Sequence, residues 1–365
     1  MKIAMLGHKR IPSREGGVEI VTEELSVRMA KQGHDVVCYN RSRKGPSSPK
    51  SYRGVRIADV PTIDKKGLAA VSASFFAALH ACFSSAQVVH IHAEGPAFMC
   101  WMPRLFGKRV IVTVHGLDWQ REKWQGGFGS KYIHAGEKMA VRFAHKIIVL
   151  SQNTQDYFLD TYQRDTVFIP NGVCPPDILP ADLIGQALDL SKDSYLLFLG
   201  RLVPEKGIHY LIEAYRQVKT DKKLVIAGGS SDTDAYVARL RELAADDPRI
   251  VFCGFVQGQM LQELYSNAYL YALPSDVEGM PLSLLEAMSY GNCCVVSDIP
   301  ECAEVVGAHA LQFSQGNIDA LRNLLQSLCD DPSTVSRYKS GARAYICEKY
   351  DWARVVEQTL ALYQE

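Results

Sequence analysis

Residues 275–291, SDVEGMPLSLLEAMSYG, place two glutamates, Glu278 and Glu286, on either side of seven residues that begin Gly279-Met280-Pro281-Leu282. Pro281 suits a first helical position, because its ring presets φ and its missing N–H is one that a helix start leaves unused. Glu278 then precedes the helix and Glu286 rides inside it. Residues 269–273, YLYAL, read as a buried strand, so the unit is strand, loop, helix. A helix start carries unpaired N–H groups and the positive end of the helix dipole, which together attract phosphate. Carboxylates repel phosphate but suit the neutral hydroxyls of a sugar or ribose. The stretch therefore fits a nucleotide-sugar site. The bland alternative is a solvated loop residue and a helix-face charge, and short motifs need context to decide.

The chain has 365 residues and 47% hydrophobic content, enough for two domains with their own cores. Its 40 basic and 40 acidic residues cancel, so no global field draws nucleic acid, and a charged ligand must be held locally. Ten cysteines are scattered without a C-x-x-C pair, which argues against a zinc site or redox couple and points to buried free thiols in a reducing cytoplasm. The opening MKIAMLG reads as a strand rather than a signal peptide, and no apolar run approaches transmembrane length.

Taken in order, residues 2–7 predict a strand, 8–17 a loop, and 18–32 a helix with Val18, Val21, Leu25 and Met29 on one face and Gly33 as its left-handed cap. A strand at 35–40 completes a right-handed βαβ start, with Gly16-Gly17 at the helix entrance. This is not G-x-G-x-x-G, and Asn40-Arg41 stand where a ribose-binding acid would, so a nicotinamide cofactor is not expected. Residues 41–53 read as loop. The apolar run 68–83, preceded by Lys65 and Lys66, fits either an interfacial membrane helix or a buried domain helix. Strands follow at 88–92 and 109–115. HGLDWQR, 115–121, then forms a loop at a strand's carboxyl end, where open parallel sheets place ligands. A single His there is more often structural unless partners converge on it, and His90 and His92 read as structural. The segment 119–131, with Gly126, Gly127 and Gly129, reads as a mobile loop able to cover an acceptor.

Strands at 146–151 and 167–170 close the first sheet, Asn171-Gly172 is a turn, and 173–193, with Pro175, Pro176 and Pro180, reads as a linker. A second alternation follows: strands at 195–200, 223–227, 250–252, 293–297 and 311–313, helices at 207–218, 234–245 and 260–268, and a terminal helix at 352–364. Such spacing means parallel sheets with crossover helices.

After the 195–200 strand comes GRLVPEKG, 200–207. Arg201 offers a planar fork and Lys206 a point charge, a pairing suited to a diphosphate. The alternative is a surface turn with two solvated cations. Asp232-Thr233-Asp234 is formally a metal-binding D-x-D, but after Gly228-Gly229-Ser230-Ser231 at a helix start it reads as capping, and no metal site is expected.

E-G-M-P-L-S-L-L-E-A-M, together with G-R-L-x-x-E-K-G, T-V-H-G at 113–116, I-P-N-G-V at 169–173 and D-W-A at 351–353, resembles the retaining glycosyltransferases of family four, of the bacterial polysaccharide-assembly type. The resemblance spans nearly the whole chain. It implies the GT-B fold: two Rossmann-like α/β/α domains facing each other across a cleft, an acceptor-side domain at 1–172 with the helix 351–365 returned to it, and a donor-binding domain at 173–350. It implies that Gly16 and Gly17 offer backbone to diphosphate or acceptor, and that His115 contacts the donor sugar near its reacting carbon. Arg201 and Lys206 would neutralise the leaving diphosphate, and Glu278 would orient sugar hydroxyls. Gly279, Met280, Pro281 and Leu282 would border the donor, Glu286 would hold the ribose, and Asp118 and Trp119 would lie on the acceptor side. The expected chemistry is sugar transfer with retention from a nucleotide-diphosphate sugar to a glycan or lipid-linked acceptor, with no cofactor, no metal and no nucleic-acid partner, and with peripheral membrane contact at the inner face as a further expectation. Glu278 as a covalent nucleophile stays open. The competing readings are a two-domain nucleotide-sugar binding protein without turnover and a GT-B-like epimerase.

Overall fold

The structure is a computed structural model that describes residues 1–42, 48–65, 67–120, 127–231 and 233–365, with the side chain of Phe128 excepted. Lys66, Gly126, Asp232, Arg121 and the centre of the 41–53 segment lie outside the described residues. The chain divides into two compact units, one comprising Met1–Asn171 with Trp352–Glu365 and the other Gly172–Asp351.

The first unit holds strands β1 (Lys2–Leu6), β2 (Asp35–Arg41), β3 (Ser51–Tyr52), β4 (Val55–Val60), β5 (Val88–His92), β6 (Arg109–Val114), β7 (Lys146–Val149) and β8 (Val167–Phe168). Its helices are α1 (Gly17–Lys31), α2 (Leu68–Phe83), α3 (Glu94–Ala97), α4 (Trp101–Leu105), α5 (Gly127–Phe143) and α6 (Gln152–Tyr162). The strands form one sheet in the order β3-β4-β2-β1-β5-β6-β7-β8, parallel except for the β3–β4 hairpin. β5 and β6 are buried along almost their whole length because helices cover both faces of a parallel sheet. α1 stops at Gly33, which adopts φ +86° and lets the His34 N–H reach Met29 O and its own N–H reach Ala30 O, a Schellman closure.

The second unit holds α7 (Leu183–Leu188), β9 (Tyr195–Leu199), α8 (Ile208–Tyr215), β10 (Lys223–Ala227), α9 (Asp234–Leu243), β11 (Ile250–Gly254), α10 (Gly258–Asn267), β12 (Leu270–Leu273), α11 (Leu282–Ser289), β13 (Cys294–Ser297), α12 (Pro300–Val306), β14 (Leu311–Phe313), α13 (Ile318–Asp330) and α14 (Pro332–Lys349). α15 (Trp352–Gln364) packs on α1 of the first unit, where Trp352, Val355, Val356 and Tyr363 are buried. The second sheet runs β11-β10-β9-β12-β13-β14, all parallel. The order reverses between β9 and β12. At such a reversal the two crossovers leave on opposite faces, so the loops after the two central strands part and leave a crevice. In the first sheet the corresponding reversal lies between β1 and β5.

Several expectations need correction. Pro281 is the N-cap of α11 rather than its first residue, because its ψ of 101° is extended, and its carbonyl accepts from Leu284 and Leu285 N–H. The 119–131 segment is not loop throughout: Asp118–Gln120 is a single 3-10 turn and α5 begins at Gly127. Residues 173–193 are not a bare linker, since α7 forms there, its Ile184 side chain is fully buried and the Ile184 N–H is held by Glu263. The described part of 41–53 includes β3. At the D-x-D, Thr233 is the N-cap of α9 and makes no side-chain capping bond. Its hydroxyl instead donates to Leu202 O at 2.7 Å, while Asp234 is the first helical residue.

Candidate functional site

The three loops that leave β9, β10 and β12 converge. A Cβ on Gly228 would fall 1.8 Å from Gly200 O, and one on Gly207 only 2.0 Å from Pro274 O. Gly207 also adopts φ +63°, so only glycine brings the start of α8 this close to the end of β12. Backbone bonds lock the arrangement: Gly200 N–H to Ala227 O, Leu202 N–H to Gly229 O, and Asp276 N–H to Glu205 O at 2.8 Å.

Within that frame the Lys206 ammonium lies 2.5 Å from Glu278 Oε1, with the two side chains only 11% and 8% exposed. The same oxygen accepts the Ser275 hydroxyl at 2.6 Å. Ser275 is held in turn, because Ser297 donates to its carbonyl. Residues predicted from two motifs some seventy positions apart thus form one buried ion pair across the strand-order reversal. An ammonium has three donors, so Lys206 retains capacity for a second acceptor. Arg201, half-buried, stands on the loop directly after β9. Met280 and Pro281 are buried beside the start of α11, whose first N–H groups, those of Leu282 and Ser283, precede the first intrahelical bond. Glu286 Oε2 accepts the Tyr265 hydroxyl at 3.2 Å, and Tyr265 stacks on Tyr290. Ser275, Ser297, Tyr265 and the Gly228 close approach were not singled out in the sequence. Gly228-Gly229 straight after an apolar strand was the one available signal.

In the first unit, the loops after β1 and β5 meet just as closely, with a Cβ on Gly7 falling 2.1 Å from His92 O. A row of imidazoles runs out from there. His90 bonds Tyr363 and Thr113, stacks on His92 at 4.3 Å, and His92 Nδ1 lies 3.0 Å from His115 Nε2. His115 is therefore oriented by a buried neighbour rather than standing alone. Burial pushes His8 down to about 4 and His90 to about 3, and holds His92 well below its usual range, with the other imidazoles adding to the shift, so these rings are neutral. His90 is structural, as expected, whereas His92 also sets the ring of His115.

Gly16 caps α1 and Gly17 begins it, but the Glu19 carboxylate folds back over that start, where a Cβ on Gly16 would sit 2.4 Å from Glu19 Oε2, and it accepts the Lys9 N–H. A carboxylate there disfavours phosphate and favours a hydroxyl. Asp118 and Trp119 sit on the 3-10 turn after β6, with the Asp118 N–H donated to Glu94 and the Trp119 ring against His134 and Tyr157.

Two family models match the chain: one described as glycosyltransferase family 4, over residues 15–175, and one as glycosyl transferases group 1, over residues 183–345. Alpha-maltose-1-phosphate synthase of Mycobacterium tuberculosis is 27% identical, the match covering 100% of this chain and 99% of that protein. Among solved structures, sucrose-phosphate synthase from Thermosynechococcus elongatus superposes with a TM-score of 0.86 at 22% identity, over 100% of this chain and 98% of the other. Anabaena HepE, solved with UDP and glucose, gives 0.82 at 18% identity, over 99% and 98%. With two Rossmann-like domains and both family models matched, the chain belongs to glycosyltransferase family 4 and has the GT-B fold.

Proposed function

We propose that this glycosyltransferase moves a sugar from a nucleoside diphosphate sugar to a glycan or lipid-linked hydroxyl, with retention of anomeric configuration and without a metal. The observation that carries the proposal is the Lys206–Glu278 pair, 2.5 Å long, between the loops flanking the strand-order reversal. Lys206 and Arg201 take up charge growing on the leaving diphosphate, so the protein's main contribution is electrostatic and the chain supplies the cations itself. Glu278, pinned by Lys206 and Ser275, orients sugar hydroxyls. Gly279, Met280, Pro281 and Leu282 line the approach to the α11 amides, and Glu286 holds the ribose. His115 contacts the sugar near its reacting carbon. Retention follows if the acceptor attacks from the face the diphosphate leaves and passes its proton to the departing phosphate oxygen. Gly16, Gly17, Asp118 and Trp119 serve the acceptor, since the Glu19 carboxylate at the α1 start suits a hydroxyl.

The acceptor's lipid character has support on the surface of the first unit. Among the described residues no helix is long and apolar enough to cross a membrane. The inward face of α2 carries Ala73, Ala77, Ala78 and Ala81 into the core. Phe83 at the end of α2 is 72% exposed and meets Phe106, 51% exposed, edge to face beside Leu105 at 69%. Arg104 and Lys108 flank these rings, a composition suited to a membrane's inner face. The ten cysteines are all free, in keeping with a reducing compartment.

The test is release of nucleoside diphosphate from a panel of uridine, guanosine and thymidine diphosphate sugars in the presence of chelator. Release from one donor, abolished by Arg201→Ala, supports the reading. Release from none, with tight donor binding retained, makes the chain a binding module.

A further inference from the structure

Two buried carboxyl groups outside the donor machinery form a cluster of their own. Glu94 on α3 and Glu137 on α5 are 1% and 0% exposed. The helices meet backbone to backbone, since a Cβ on Gly136 would fall 2.0 Å from Glu94 O. Glu137 directly follows Gly136 at this contact, so its carboxyl enters the same buried region as that of Glu94. Each has one satisfied oxygen. Glu94 Oε2 accepts the Asp118 N–H at 2.8 Å, while Glu137 Oε2 accepts Tyr162 OH at 2.7 Å and Tyr157 OH at 3.1 Å and faces His134 Nδ1 at 3.4 Å. Glu94 Oε1 and Glu137 Oε1 are buried and meet no donor among the described residues.

A buried oxygen without a donor is costly, and two adjacent buried carboxylates cannot both stay ionised. One hydrogen held between the two carboxyls removes both penalties. Burial, helped by the negative charges of Asp118 and Glu137, pushes the Glu94 carboxyl well above the usual carboxylate range, in the direction this requires.

We propose that Glu94 and Glu137 share a single proton and act together as a positioning clamp for the turn that carries Asp118 and Trp119. Glu94 fixes the backbone of that turn through the Asp118 N–H. Glu137 fixes Trp119 indirectly, because the indole packs at 5.3 Å and 5.9 Å against His134 and Tyr157, which both face the Glu137 carboxyl. The clamp's effect on acceptor binding rests on the reading of Asp118 and Trp119 as acceptor-side residues. The shared proton does not.

The experiment therefore has an arm independent of activity. Infrared spectra of the intact protein at neutral pH are expected to show a protonated-carboxyl stretch that disappears in both Glu94→Gln and Glu137→Gln. Each single amide replaces the shared proton with an N–H and melts within a few degrees of wild type. The double variant sets two NH2 groups face to face and melts well below either single. A wild-type spectrum without the band, a band that survives both substitutions, or a double variant as stable as the singles overturns the shared proton. In the activity arm, Glu94→Ala raises acceptor KM by roughly tenfold, through lost orientation, while acceptor-free donor hydrolysis stays near wild type and Glu94→Gln restores the KM. Equal loss in acceptor use and donor hydrolysis overturns the clamp. Absence of any donor hydrolysis in wild type defeats the enzymatic reading, while the infrared and melting results still decide the proton.

Discussion

Removing Lys206 separates the structural from the chemical role of its ion pair. In Lys206→Ala the Glu278 carboxylate, 8% exposed, loses its cation and keeps the Ser275 hydroxyl at 2.6 Å. One-sided loss of a buried ion pair costs about 3–5 kcal/mol, and the surviving hydroxyl puts this case near 3. For a unit of this size that lowers its melting temperature by roughly 6–12 °C. In Lys206→Met combined with Glu278→Gln no charge is left uncompensated, so most of that stability returns. Activity does not return, because the cation that meets the leaving diphosphate is still absent. Removing one such preorganised donor costs about 10²–10³ in kcat, with a smaller loss in donor affinity. The assays are calorimetric melting and steady-state kinetics on Lys206→Ala, on the singles Lys206→Met and Glu278→Gln, and on their double variant. Additive stability losses would refute the buried pair. Equal losses in kcat and donor affinity for Lys206→Ala would refute the leaving-group role.

Three other outcomes follow from the same geometry. Gly207→Ala, whose Cβ would sit 2.0 Å from Pro274 O, is expected to lower the melting temperature far more than Gly33→Ala, which also has positive φ but meets nothing within 4 Å; similar losses in the two would mean the close approach is not real. Because the folded-state pKa of His8 lies near 4 and that of His90 near 3, against 6.5 when unfolded, these rings bind protons preferentially in the unfolded chain. Stability of the first unit is therefore complete above about pH 6.5 and falls as pH drops towards about 4; a melting profile flat from pH 7 to pH 5 would contradict this. Replacing Phe83, Leu105 and Phe106 with serine is expected to abolish sedimentation with anionic lipid vesicles and leave water-soluble donor hydrolysis intact, and unchanged sedimentation would remove the membrane contact.

Local patterns carried much of this in the sequence, and long-range pairings carried the rest. Apolar runs ending at glycine located β1 and β9, and an apolar run before Pro274 located β12, because a parallel strand buried on both faces reads as a continuous apolar block. Glu278 and Lys206 were legible because each sits in a short motif that also shapes its own loop. Their ion pair was not, since it depends on β9 and β12 being neighbours despite lying far apart in the chain. Glu94 and Glu137 carried no signal at all: each looks like a helix-surface acid until α3 and α5 pack through Gly136. The period of α13, with Leu321, Leu325 and Leu328 on one face, is masked in the sequence by Arg322, Asn323, Gln326 and Ser327 between them. Pro281 is an N-cap rather than a first helical residue, which the sequence does not specify, because a proline's φ serves both positions and only ψ tells them apart.

The most direct measurement is equilibrium titration of wild type and Arg201→Ala with uridine, guanosine and thymidine, each as nucleoside and as diphosphate. Wild type is expected to bind one diphosphate far more tightly than its nucleoside, and Arg201→Ala to lose that increment while nucleoside affinity holds. A nucleoside and its diphosphate binding equally well, or an increment that survives without Arg201, would contradict it.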